Sequence, residues 1–148
     1  GYANYDRLAF KAAEEDFRKA YNLDALNPLR TDALQLRLWL CRARQGPSGE
    51  ATIELRHYAA KERRGGRPGD WFSQVVDFLA GATPEDKFLE IAAGKDQTCD
   101  ACFYAGVKRV IAQDKAGAKE LLKKAASAGG PGSNEYWSAL GELAGLEK

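Results

Sequence analysis

Cys99-Asp100-Ala101-Cys102 is the stretch whose residue types and spacing best suggest reactive chemistry. Two thiols at this spacing suit a redox pair or half of a metal site. The start of a helix, where the spacing predicts them, offers a dipole end that favours thiolate. Thioredoxin-like exchange needs a βαβ setting, however, and strand signals are nearly missing from this chain. Four-coordinate zinc needs two more ligands, for which Cys41 and His57 are the obvious donors. Two other readings stand beside these: a structural disulfide, or Cys102 as a small core residue with Cys99 near the surface.

Other chemistry-bearing groups give less. His57, the single histidine, lies late in an expected helix, and no Ser occupies a Gly-x-Ser-x-Gly setting. It reads as a surface or partly buried side chain. Lys61, Arg63, Arg64 and Arg67 could touch phosphate, but no aromatic is interleaved to stack on bases, so a solvated linker is expected. Glu14, Glu15 and Asp16 are consecutive on a helix, where side chains diverge by about 100° and cannot converge on one ion. No cofactor is called for.

The elements that must position these groups are helices. Residues 8–22 put Phe10, Ala13, Phe17, Ala20 and Tyr21 on one face. Asn27-Pro28 opens a helix to about Gln45, Gly46-Pro47-Ser48-Gly49 breaks the chain, and residues 50–62 resume helical spacing. The run 63–69 is an exposed loop. Asp70 caps a helix to about Ala80, Thr83-Pro84-Glu85-Asp86 starts another to about Ala93, and Thr98 opens one to about Gln113. Asp114 caps the next through Ser127, and Ser133 opens a last helix to about Leu146. Eight helices are expected.

The 148 residues suffice for one domain, and 45% apolar against 29% charged residues supports a packed core. A net charge of +1 supplies no general attraction to nucleic acid or anionic membrane. No apolar run approaches the roughly 18 residues of a membrane span, and the N-terminus has no signal-peptide pattern. Methionine is absent, also from position one, which points to a processed or trimmed chain.

Within the helices a spacing recurs. Gly106 is followed by Ala118, Leu122 and Ala125, at offsets of 12, 16 and 19. The same offsets lead from Gly1 to Ala13, Phe17 and Ala20, and from Trp39 to Ala51, Leu55 and Tyr58. Small residues let paired helices approach, and the large one fills the gap beneath the next pair. This small–large–small series resembles the tetratricopeptide repeat (TPR), with Trp39 and Tyr58 departing from it in the middle copy. The first copy begins inside its first helix, so a preceding piece is expected.

The stretches DWFSQVVDFLAGATPEDKFLEIA, CFYAGVKRVIAQDKAGAKELLKKA and NEYWSALGELAGL are similar to those of the NlpI-like envelope lipoproteins, a bacterial TPR family. The resemblance implies an all-α TPR-like solenoid: repeat pairs over about 1–25, 28–62 and 98–128, intervening helices at 70–93 and a capping helix at 133–146. It implies a homodimeric, non-catalytic adaptor in the periplasm or cell envelope that serves a protease or peptidoglycan hydrolase. A cytoplasmic location and a self-assembling structural subunit remain open on the residues alone. Carried onto this chain, the inward positions are Ala33, Leu36, Leu40 and Arg44, then Asp100, Phe103, Val107 and Ile111. A protein or peptide partner is expected there. The alternative is a thiol or metal enzyme centred on Cys99 and Cys102.

Overall fold

The computed structural model describes residues 1–24, 27–46 and 48–148. Pro47, part of one expected break, lies outside them. Nine α-helices make up the described chain, and no strand is present among the described residues. They are α1 (Tyr2–Asp6), α2 (Phe10–Leu23), α3 (Pro28–Gln45), α4 (Ser48–His57), α5 (Trp71–Leu79), α6 (Glu85–Ile91), α7 (Gly94–Ile111), α8 (Lys115–Ala128) and α9 (Asn134–Leu146).

Four helix starts follow from local capping chemistry. The side chains of Asn27, Asp70, Asp114 and Ser133 accept from the backbone N–H of Arg30, Ser73, Gly117 and Tyr136. Two boundaries differ from expectation. Helix α1 stands where the first repeat copy was expected to begin inside a helix, but the eight expected helices start at residue 8 and omit it, because five residues carry too little periodicity to read. Helix α7 begins at Gly94, not Thr98, because the left-handed backbone there (φ +74°) turns the chain directly out of α6. Helix α4 runs into a π-helical turn, Tyr58–Glu62, closed by Arg63 N donating to Tyr58 O at 2.8 Å.

The recurrent spacing has a physical counterpart in two of its three copies. A Cβ built on Gly106 would lie 2.8 Å from Leu122 Cγ, and one on Gly1 would lie 2.6 Å from Phe17 Cε1. In both, glycine lets one helix seat directly on the large residue 16 positions later. Ala118, Leu122 and Ala125 are fully buried between α7, α8 and α9.

Helix α7 is the centre. Cys99 and every residue from Ala101 to Val107 are buried, so it is apolar around most of its circumference. Helices α8 and α9 cover it on one side, α5 and α6 on another, and α3 also touches it. Helix α9 packs on the α7–α8 hairpin, and α1 packs on it in turn. Backbone oxygen of Asp6 stands against Gly141, where no side chain could fit. The two ends of the described chain therefore meet, and the stacking order in space is not a simple run along the sequence.

Candidate functional site

Where α3, α5, α7 and α9 converge they leave a cleft of about 420 Å³. Its apolar wall is Ala33 and Leu36 from α3 with Trp71, Phe72 and Val75 from α5. Its polar lining is Asp32, Arg63, Asp70, Asp100, Tyr104 and Glu135. Asp100 and Glu135 also line an adjoining trough between α7 and the α8–α9 connection, together with Asp96 and Ser133.

A buried clamp holds the first side of this cleft. Tyr58 Oη donates to Asp32 Oδ1 at 2.7 Å, fixing that carboxylate on α3. The π turn then delivers Arg63, which is bonded to Asp32 Oδ2 at 2.8 Å and to Asp70 Oδ2 at 2.7 Å. Its guanidinium lies 4.4 Å from the centre of the Phe72 ring. Burial disfavours the Asp70 carboxylate, but the Arg63 hydrogen bond and the Ser73 N–H outweigh it and hold the carboxyl well below its usual range. Arg63 is thus no solvated linker charge; with 10% of its side chain exposed, it joins α3 to the start of α5.

The second side rests on Arg37, whose side chain is 1% exposed. It donates to Ser138 Oγ at 2.8 Å and to Glu135 Oε1 at 3.2 Å, and packs on the rings of Tyr2, Tyr5 and Phe103. This orients Glu135 at the cleft. Trp71 is set by a stack in which its ring lies on Phe88, and Phe88 on Phe78. Its indole Nε1 donates to Asp100 Oδ2 at 3.0 Å. Burial pushes the Asp100 carboxyl up to about 7, and the charge on Glu135 adds to the effect while the Trp71 bond opposes it.

The residues expected inward do not form one surface. Leu36 and Asp100 are brought together in the cleft. Leu40, Phe103 and Val107 are fully buried by neighbouring helices of the same chain, so a partner cannot touch them while those helices stay packed. Arg44 is turned to α9, where it pairs with Glu142 and lies over the Phe10 ring. Ile111 belongs to a separate hollow beside Leu79 and Lys108.

Cys41, Cys99 and Cys102 are free and buried. Cys99 lies in the second turn of α7, beyond the strongest influence of the helix dipole. Burial pushes its thiol up to about 11, against a weak contact with Ser133. Cys102 is raised by burial as well. His57 is exposed and sits 3.1 Å from Glu62. Among the described residues no His, Cys, Asp and Glu side chains group to hold a metal ion, and no helix is long and apolar enough to cross a membrane.

Arg37, Tyr104 and Glu135 carry the cleft yet were not singled out for binding in the sequence, and Arg63 was weighed only as a phosphate contact in a solvated loop. No protein family, curated protein or solved structure matches this chain.

Proposed function

We propose that the chain is a non-catalytic protein-interaction scaffold whose docking site is the cleft between α3, α5, α7 and α9. The observation that supports this most is the pairing of an apolar wall, open at Ala33 and Trp71, with partly buried carboxylates on α3, α7 and α9 and at the cap of α5. Such a lining reads an extended segment through an apolar pocket and a few charges. The adjoining trough lengthens the cleft, which suits a peptide better than a compact metabolite. Raised thiols at Cys99 and Cys102 favour the scaffold over a thiol enzyme, because thiolate is the reactive form. The resemblance to NlpI-like proteins extends the proposal to a homodimeric envelope adaptor for a protease or peptidoglycan hydrolase.

Selection from a displayed random-peptide library tests the reading. Ala33 is exposed on the cleft wall, so Ala33→Arg fills the cleft without disturbing the core. Enriched peptides should bind the unaltered protein and lose at least about tenfold in affinity for A33R, the equivalent of about 1.4 kcal/mol. Peptides that bind both proteins equally, or no enrichment at all, would overturn the docking site.

A further inference from the structure

The charges and hydroxyls of the cleft are unevenly satisfied. Asp32 and Asp70 are neutralised by Arg63, and Glu135 shares Arg37. Among the described residues Asp96 and Asp100 have no ion-pair partner, although Asp100 is partly buried. Its one hydrogen bond, from the Trp71 indole, leaves the second oxygen free.

Tyr104 supplies an independent sign. Its side chain is only 3% exposed, yet its hydroxyl has no hydrogen-bond partner among the described residues. No fully enclosed side-chain polar atom in the described residues lacks a partner. The Tyr104 oxygen therefore keeps its opening to the outside through the cleft it lines. Through that opening the hydroxyl, which no protein group satisfies, can accept a hydrogen bond from a ligand. Burial and the charge on Glu135 keep the phenol protonated, and its lone pairs remain available as acceptors.

We infer that the cleft receives a lysine side chain of the peptide partner, with its ammonium held by Asp100, Glu135 and the Tyr104 hydroxyl. This rests on the scaffold reading and names the group which that site recognises. An ammonium has three N–H donors and no acceptor, matching the three acceptors that line this cleft. The flexible four-carbon stem lies along apolar surface while its head is bound, and Ala33 and the half-buried Trp71 offer that surface. Arginine matches less well, because its planar fork seeks two oxygens of one carboxylate, and Trp71 already occupies one oxygen of Asp100.

The test is an NMR titration of the full chain at low salt with N-acetyl-lysine methylamide. Its norleucine and Nε-acetyl-lysine counterparts, the arginine compound and butylamine serve as comparisons. The lysine compound should shift the Trp71 indole N–H and the Asp100 and Glu135 amides saturably. Both neutral counterparts should bind about tenfold more weakly. Asp100→Asn should lose about tenfold for the lysine compound and leave norleucine unchanged, and Tyr104→Phe should lose about threefold or more. Circular dichroism confirms that each variant is folded. Equal binding of the neutral compounds, stronger binding of arginine, or an unchanged D100N overturns the lysine assignment. Butylamine binding as tightly as the lysine compound overturns its peptide-borne origin. Cleft-dependent display peptides that lack lysine would sink this inference and leave the scaffold standing. A selection without cleft-dependent peptides removes the scaffold, whatever the lysine probe does.

Discussion

Tyr5 Oη donates to Glu142 Oε1 at 3.0 Å, joining side chains 137 positions apart in the chain. Glu142 is 1% exposed and also pairs with Arg44 of α3, so one carboxylate ties α1, α3 and α9 together. Removing it strands a buried hydroxyl and a largely covered guanidinium. Glu142→Ala should cost about 3–5 kcal/mol, and Tyr5→Phe about 1 kcal/mol. Urea unfolding of both single variants and the double variant measures the coupling. Strict additivity would mean that the ends are not joined by this bond.

Close approach of α7 and α8 rests on Gly106 against Leu122. The space for a Cβ at Gly106 is already occupied, and Leu122 has no exposed surface into which to retreat. Overpacking of this kind costs about 1–3 kcal/mol, from which up to about 1 kcal/mol returns through the better helix propensity of alanine. Gly106→Ala should therefore be net destabilising in denaturant melts. A more stable variant would show that the hairpin has slack at this point.

The carboxylates of the cleft respond to pH in opposite senses. Asp70 is lowered in the folded state, so its stabilisation is present above the ordinary value of 3.8 and is lost as pH falls through the lower folded value. Arg63→Ala should thus cost about 1–3 kcal/mol near pH 6 and less near pH 2. Equal losses at both pH values would remove the clamp from the account.

Asp100 is raised to about 7, so the folded state holds a proton that the unfolded state releases above 3.8. Its contribution is full below 3.8 and fades as pH climbs to 7 and beyond. The groups facing it are Trp71 of α5, Glu135 of α9, Arg37 of α3 and Asp96 on its own helix. Asp100→Asn keeps an acceptor for the indole and cannot ionise. The stability of D100N relative to the parent should rise between pH 4 and 8 (roughly the span of the two values). A flat difference would place Asp100 in water.

All three thiols should resist modification in the native protein. A disulfide reagent at pH 8 should label Cys41, Cys99 and Cys102 slowly, and promptly once denaturant is added. Rapid native labelling of Cys99 would favour the alternative of a thiol enzyme centred on Cys99 and Cys102.

Much of the scaffold was legible in the sequence. Helix starts at Asn27, Asp70, Asp114 and Ser133 depend on hydrogen bonds spanning three residues, and the Gly106–Leu122 contact recurs at a fixed offset within one hairpin. Periodicity also marked Ala118, Leu122 and Ala125 as core, because a helix fixes which side chains share a face. The cleft was only half visible: Ala33, Leu36 and Asp100 stood out as inward positions, and Arg37, Tyr104 and Glu135 did not.

What tertiary structure alone decided is which charges are buried and which surfaces stay open. Arg37 meets Ser138 across 101 residues, and Arg63 meets Asp32 across 31. A run of residues records the type of each side chain and its local helix face. It does not record which distant helix will cover that face, and that covering buried Leu40, Phe103 and Val107 while leaving Trp71, Asp100 and Tyr104 to line an opening. Local hydrogen bonding determined the helices; desolvation and pairing between remote segments determined the site.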